Sequence, residues 1–293
     1  MKTTESPTTC GAAVRSSDLL DPPIHVLSLG AGVQSSTLAL MAAHGEVTPM
    51  PTAAIFADVG AEPASVYRWL DWLEKQLPYP VLRVKRGNLV ESITTPRQRK
   101  DGTGWWVHSN IPAFVKNADG TDGMVQRQCT ETFKIEPLRK AVRELAKVKR
   151  GEKNVRVIQW IGISLDEVHR MKESRERWQE NRWPLIELRK NRHDCLRWME
   201  GHGYPKPPRS ACVFCPYHSN REWRRLRDEE PEAFAWAIEI EKKYQAAKAK
   251  GGIHSQLYLH SKRIPLETVN LDDDNDPKQN WLWGNECAGM CGV

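Results

Sequence analysis

Short apolar runs alternate along the first two thirds of the chain with segments whose apolar residues recur at helical spacing. Val66, Leu70 and Leu73, for example, fall on one face of a helix over residues 64–77. This alternation predicts an α/β fold with a doubly wound parallel sheet, in which ligands bind at the carboxyl ends of the strands. The predicted strands are residues 24–29, 53–57, 81–84, 155–163 and 184–188.

The rest of the pattern divides the chain into three parts. Residues 1–22 are polar and predict a disordered leader, and residues 23–190 form the predicted α/β domain. Residues 191–293 contain several cysteines and predict a helical, Cys-rich extension. Within it, two helices are expected over 219–247, with a break at Pro231.

A long segment inside the α/β domain has no clear period. Residues 94–128 contain four glycines, which is typical of a functional or mobile loop. Trp105 and Trp106 in this segment fit either of two roles, stacking on a nucleic-acid base or a hydrophobic plug that pins the loop.

Composition narrows the class of protein. The chain has 293 residues, a net charge of +6 and a mean hydropathy of −0.60, and no run of residues approaches the length of a membrane span. No apolar segment typical of a secretory signal precedes Asp18, so we expect a cytoplasmic protein.

Seven cysteines in such a chain favour metal binding or redox chemistry over disulfides. The positive charge fits a nucleic acid or a polyanionic small ligand and does not choose between them.

The stretch VLSLGAGVQSSTLALM predicts a strand, a glycine loop and a helix. Gly30, Ala31 and Gly32 are small enough for the backbone to approach a ligand, and the start of the following helix suits an anion. No Lys follows the glycines, which excludes a Walker A loop, and Ser35 stands where a dinucleotide-binding fingerprint has its third glycine. The spacing by itself fits an ordinary tight turn equally well.

The same residues resemble a degenerate PP-loop, the S-G-G-x-D-S signature of adenine-nucleotide α-hydrolases and ATP pyrophosphatases. Gly32 and Ser35 match that signature, and Gln34 replaces its Asp. Gln at this place is similar to the PAPS/APS reductase branch, which binds a nucleotide that already carries sulfate. Asp58 begins a segment similar to the family's D-T-G…P-E-T-Y. The resemblance implies an adenine nucleotide (PAPS, APS or ATP) held by Ser28, Gly30, Ala31, Gly32, Gln34, Ser35, Ser36, Asp58, Lys134, Gly162 and Arg170.

Three cysteines outside the loop predict a metal centre. Cys212 and Cys215 form a C-x-x-C-P motif, which can hold one metal from a tight turn. Residues 129–138 resemble the C-C-x-x-R-K-V-x-P-L segment of APS reductases, with Thr130 in place of the second Cys. The resemblance implies a [4Fe–4S] cluster on Cys129, Cys212 and Cys215, with Cys291 or Cys287 as the fourth ligand. A zinc site on Cys212, Cys215, Cys287 and Cys291 stays open as the alternative.

The end of the chain carries the last motif. Glu286-Cys287 is similar to the E-C-G-L-H tail of PAPS/APS reductases, in which the Cys attacks the sulfate sulfur; here the final His is absent. The resemblance therefore implies Cys287 as a catalytic nucleophile that reduces adenylylated sulfate to sulfite. A thiol reductant such as thioredoxin is the expected partner, and a homodimer is the oligomer that we consider.

Two alternative functions stay open at this point. The first is an ATP-dependent Fe–S sulfurtransferase that modifies tRNA or DNA. The second is a non-catalytic accessory nucleotide- or nucleic-acid-binding protein, because relatives of this kind occur in phages and beside mobile CRISPR systems. The basic runs at residues 170–177 and 221–227 lead us to expect weak, salt-sensitive binding to nucleic acid.

Overall fold

The computed structural model describes residues 22–107, 111–117, 119–252 and 255–272. The strands are β1 (Ile24–Ser28), β2 (Ala53–Ala57), β3 (Val81–Val84), β4 (Arg97–Gln98), β5 (Trp105–Trp106), β6 (Ala113–Lys116), β7 (Asp122–Val125), β8 (Val157–Ile161), β9 (Gln179–Arg182) and β10 (Gln256–Tyr258). The α-helices are α1 (Val33–Ala43), α2 (Ala64–Glu74), α3 (Leu89–Thr94), α4 (Glu136–Leu145), α5 (Pro184–Glu187), α6 (Arg192–Gly201), α7 (Asn220–Glu229) and α8 (Pro231–Lys250).

Five of the strands form the central sheet, in the order β3-β2-β1-β8-β9, and every neighbouring pair is parallel. The chain therefore has an α/β architecture that is compatible with a doubly wound fold. The strand order reverses between β1 and β8, and in open parallel sheets the crevice at this point is where ligands bind. The loops that follow β1 and β8 meet there.

Alternate residues of the strands face two different layers of helices. Leu27, Phe56 and Trp160 pack in one core with α1, α2, α5 and α6. Val26 and Ile55, on the opposite face, pack against α4. Burial on both faces explains why the central strands are continuous apolar runs and lack alternating polarity.

A second core lies beyond the sheet. Its buried residues come from α3, α7 and α8, from the loop after β2 and from the three-stranded antiparallel sheet β10-β6-β7. Trp223, Phe214 and Tyr244 are its largest fully buried side chains. These residues lie on both sides of residue 190, and the domain boundary at that position stays a prediction.

Two secondary-structure predictions are wrong. Residues 184–188 were expected to form a strand, but Pro184 starts the short helix α5, because proline suits the first turn of a helix. The fifth strand is instead the polar segment QENR of β9. Residues 94–128 are also more regular than predicted, since they contain β4 and β5 as one hairpin and β6 and β7 as another.

The predicted leader lies outside the described residues except for Pro22, and so do Cys287 and Cys291. No helix in the described part of the chain combines the length and the apolar character needed to cross a lipid bilayer.

Candidate functional site

The glycine loop forms a tight turn between β1 and α1. Ala31 adopts a left-handed backbone with φ of 57° and is fully buried. The Ser35 Oγ accepts a hydrogen bond from the Gly30 N–H (3.1 Å), which braces the turn from inside. Gly32 is the N-cap of α1, and no described side chain caps this helix. The first turn of α1 can therefore present backbone N–H groups to an anion.

Three polar side chains predicted to bind the nucleotide have partners within the protein. The buried Ser28 hydroxyl accepts a hydrogen bond from Gln159 Nε2 (2.6 Å) inside the sheet. The buried Ser36 hydroxyl accepts one from Trp69 Nε1 (3.0 Å). Because these side chains already have hydrogen-bond partners, a ligand at this loop would contact mainly backbone atoms.

Gln34, the third of these residues, is only 4% exposed. Its amide nitrogen donates to the Glu167 carboxylate (3.2 Å), and its amide oxygen accepts from Arg192 Nη1 (3.1 Å). Arg170, another predicted ligand residue, is bonded to the same Glu167. The residue that departs from the PP-loop signature is therefore part of a polar network that ties α1 to α6 and to the segment after β8.

The carboxyl ends of β2 and β8 border the loop. Asp58, which follows β2, accepts hydrogen bonds on Oδ1 from the Gly60 N–H and the Tyr67 hydroxyl, both at 2.7 Å. Burial, reinforced by the Asp58 carboxylate, raises the pKa of Tyr67 well above its ordinary value. Gly162 follows β8 and lies against the backbone of Ser35. The structure thus brings the predicted residues Asp58 and Gly162 to the same edge of the sheet as the glycine loop.

The buried Glu62 carboxylate joins this edge both to Lys134 and to Ser210 in the C-terminal part of the chain. The Glu62 side chain is 1% exposed and lies 3.5 Å from the Lys134 Nζ. The Ser210 hydroxyl donates to the other oxygen of Glu62 (3.3 Å). A Cβ built on Gly32 would lie 4.0 Å from the Ser210 Cβ. Ser210 therefore faces the glycine loop and is bonded to the segment that follows β2.

The cysteines predicted to bind a metal lie beside this contact. Cys129, Cys212 and Cys215 line one pocket together with Lys134. The Cys212–Cys215 turn is closed by a bond from the Cys215 N–H to the Cys212 carbonyl (2.9 Å). The Val213 N–H donates to the Ala61 carbonyl (2.8 Å), which docks the turn on the loop after β2.

His218 lies beside the thiol pocket, whereas Cys195 lies apart from it. His218 is buried and donates through Nε2 to the Cys212 carbonyl (2.9 Å). Burial, with a further contribution from Arg209, holds the pKa of His218 well below its usual range, so the ring is neutral. Cys195 is fully buried in the core beside α1, and burial raises the pKa of its thiol to about 12, as expected for a packing residue.

Within the described residues, no group of three or more His, Cys, Asp or Glu side chains is arranged to hold a metal ion. Ser210, Arg192 and Arg209 were not predicted as site residues. No local motif marks them, and only the fold brings them to the glycine loop.

No protein-family model matches the chain, and none of the curated proteins matches it significantly.

Proposed function

We propose that the protein is a PAPS/APS-reductase-like enzyme with an adenine-nucleotide α-hydrolase-like fold, which binds an adenine nucleotide and carries out thiol-based sulfur chemistry. The contact of Ser210 with Gly32 and Glu62 carries this proposal. Ser210 lies just before the turn that contains Cys212 and Cys215. Its position therefore keeps this turn close to the glycine loop, where a nucleotide would bind. A bound nucleotide and a thiol centre would then be neighbours.

The nucleotide would bind across the glycine loop at the reversal of strand order. The N–H groups of the first turn of α1 suit a phosphate or a sulfate, because the positive end of the helix dipole lies there. Asp58 stands on the other side of the loop and can accept hydrogen bonds from a sugar or a base. Gln34 stands where ATP-cleaving relatives have the Asp that handles magnesium pyrophosphate, and its amide is bonded to Glu167 and Arg192.

The chemistry proposed is a two-step reduction with a covalent intermediate. The Cys287 thiolate would attack the sulfur of the adenylyl sulfate, so that a bond between the two sulfur atoms forms and the bond from sulfur to the phosphate oxygen breaks. The nucleotide monophosphate leaves. A thiol of a reductant such as thioredoxin would then attack the Cys287 sulfur, forming a disulfide and releasing sulfite. Two thiols lose two electrons, and the sulfate sulfur gains them.

The proposal includes a metal centre. Cys129 precedes α4, Cys212 and Cys215 belong to one turn, and all three line one pocket. Cys291 would supply a fourth thiolate. Four thiolates suit a [4Fe–4S] cluster or zinc. When bound, such a centre would cross-link the segments that carry these residues, and its binding energy would add to the free energy of unfolding.

A second candidate function is an ATP-dependent Fe–S sulfurtransferase that modifies tRNA or DNA. Three thiols that line one pocket beside the glycine loop favour it, because a cluster on three cysteines keeps one iron open for sulfur. This function requires cleavage of ATP, whereas the reductase requires a nucleotide that carries sulfate.

Calorimetry on Gly32→Leu tests the nucleotide site. The branched leucine side chain would keep a ligand away from the backbone of the loop, so we expect binding of APS, PAPS and ATP to be lost. Gly201→Leu is the matched control, because a Cβ on Gly201 meets no atom within 4 Å. Unchanged affinity in Gly32→Leu would overturn the assignment. Sulfite release from APS or PAPS in the presence of thioredoxin then identifies the reductase, and sulfur transfer that consumes ATP identifies the alternative.

A further inference from the structure

A basic cleft lies next to the glycine loop and is not used by the proposed reduction. It is a cleft of about 760 Å³ between the start of α6, residues 206–209 and α7. Six cations line it, and three carboxylates accompany them. The cations are Arg192, Lys206, Arg209, Arg221, Arg224 and Arg225, and the carboxylates are Glu222, Asp228 and Glu229.

Ion pairs divide these cations into two groups. Arg225 is neutralised by Glu222 (2.8 Å) and Glu230 (2.7 Å). Lys206 and Arg221 are exposed, and neither forms an ion pair with a described residue. Lys206 and Arg221 on the rim therefore carry positive charge that no described carboxylate pairs with, and Arg192 and Arg209 form the wall behind them.

The wall of the cleft contains an unsatisfied donor. Arg209 donates from Nη2 to the Tyr217 carbonyl (3.0 Å), but its buried Nε–H has no hydrogen-bond partner among the described residues. Arg192 is close enough that the positive charge of Arg209 lowers its pKa, after burial, which lowers it most. Two guanidinium groups held near each other, one with an unused buried N–H, are well suited to an anion that accepts from both.

The position of the cleft relative to the loop indicates the kind of anion. Arg192 is bonded to Gln34 of the loop, and Ser210, which faces Gly32, immediately follows Arg209. On α7, Arg221 and Arg224 lie on one face because they are three residues apart. Cations spread over three elements match a row of phosphates better than a single ion.

The geometry points to a binding site for the phosphate backbone of a nucleic acid strand in this cleft, with the strand passing beside the nucleotide loop. The inference goes beyond the proposed reduction and does not depend on it, since Lys206 and Arg221 belong to neither the loop nor the thiol pocket. The sequence alone predicted nucleic-acid binding by the basic runs at 170–177 and 221–227, whereas this inference assigns the binding to one defined cleft.

The test is binding of a fluorescent 20-nucleotide single-stranded DNA of mixed sequence, measured by anisotropy from 50 to 200 mM salt. We expect Lys206→Gln/Arg221→Gln to bind at least about tenfold more weakly at 50 mM salt, and to reduce the slope of log K against log salt by about 1.4, the value for two lost phosphate contacts on a single strand. The control pair Lys149→Gln/Arg150→Gln removes the same two residue types from an exposed segment after α4. It should bind like the wild type.

Three results would overturn the inference. They are no binding by the wild type, an equal loss in both double variants, and displacement of the DNA by 10 mM inorganic phosphate beyond the effect of sodium chloride at the same ionic strength. The last result would indicate a site for a free anion. ATP calorimetry on Lys206→Gln/Arg221→Gln separates this test from that of the nucleotide site: retained ATP affinity with lost DNA binding supports the cleft, and lost ATP affinity contradicts its independence from the loop.

Discussion

Gly162 and Ser35 touch backbone to backbone, since a Cβ built on Gly162 would lie 3.0 Å from both the nitrogen and the Cα of Ser35. Gly162 follows β8, and Ser35 lies in the first turn of α1. The contact therefore sets how closely the glycine loop approaches the carboxyl end of β8. Any side chain at position 162 must push these two segments apart, because neither neighbour is the flexible end of a side chain.

This contact predicts the effect of Gly162→Ala. The methyl group should displace the loop, lower the free energy of unfolding by about 1–3 kcal/mol, as overpacking does, and weaken nucleotide binding. Urea unfolding and ATP calorimetry measure the two effects. Gly201→Ala introduces the same methyl group where it meets no atom within 4 Å, so it should leave nucleotide binding unchanged and should not lower the free energy of unfolding. Equal behaviour of the two variants would show that the contact does not position the loop.

The buried pair of Glu62 and Lys134 predicts a strong energetic coupling. Glu62→Gln or Lys134→Met alone leaves a buried charge without this partner, and each should cost about 3 kcal/mol of unfolding free energy. The double variant should cost less than the sum of the two, with a coupling of about 1–3 kcal/mol. Urea unfolding of all four proteins gives this value.

The exposed pair of Glu239 and Lys243 on α8 serves as the reference for that cycle. Its two side chains are 53% and 56% exposed, so solvent screens the interaction and the coupling should be about 0.5 kcal/mol or less. A coupling between Glu62 and Lys134 no larger than this would mean that the pair does not hold the two segments together.

The fold was predictable where the pattern is local. The strands over 53–57 and 81–84 agree with prediction residue for residue, and Pro231 separates α7 from α8 as expected. The polar strand β9 was missed, because its pairing with β8 depends on backbone hydrogen bonds and its sequence has no apolar period. The hairpins within 94–128 were missed for a related reason, since short strands give little periodic signal.

The candidate site was predictable only in part, for a different reason. A glycine loop before a helix is visible in the sequence, and so is a C-x-x-C motif. The contacts of Ser210 with Gly32 and of Arg192 with Gln34 join residues more than a hundred positions apart, and no local pattern encodes such packing. The direction of the Gln34 side chain, toward α6, depends on the same long-range packing.

Glu241 predicts a pH dependence of stability. Its buried carboxylate accepts hydrogen bonds from the Leu259 and Leu266 N–H groups, both at 2.8 Å. Burial nevertheless raises the pKa of Glu241 above its ordinary value of 4.5. Because the folded state then holds this proton more tightly than the unfolded state, the stabilisation is fully present below pH 4.5 and is lost as the pH rises through the folded pKa.

Glu241→Gln isolates this effect, because glutamine has nearly the shape of the protonated acid and does not titrate. The difference in unfolding free energy, variant minus wild type, should increase as the pH rises from 4.5 to 7, in urea titrations at each pH. Both proteins also contain carboxylates whose pKa values are lowered, such as Asp194. Taking the difference between the two proteins cancels the contribution of these groups to the pH dependence of the unfolding free energy. A difference that stays constant or decreases over this range would contradict the raised pKa.

Cys129→Ser tests whether the thiol pocket is a metal centre. If Cys129, Cys212 and Cys215 share one cluster, the variant purified without oxygen should lose iron and sulfide and also unfold more easily, because metal-binding energy is folding energy in such a site. Cys195→Ala is the control, since this thiol is fully buried in a different core and should keep the full metal content. Iron, sulfide and zinc are measured in all three proteins. If Cys129→Ser keeps its full metal and the wild type contains only zinc, the cluster is ruled out. Cys212 and Cys215 would then hold a zinc ion with the two cysteines of the tail, and Cys129 would not be a metal ligand.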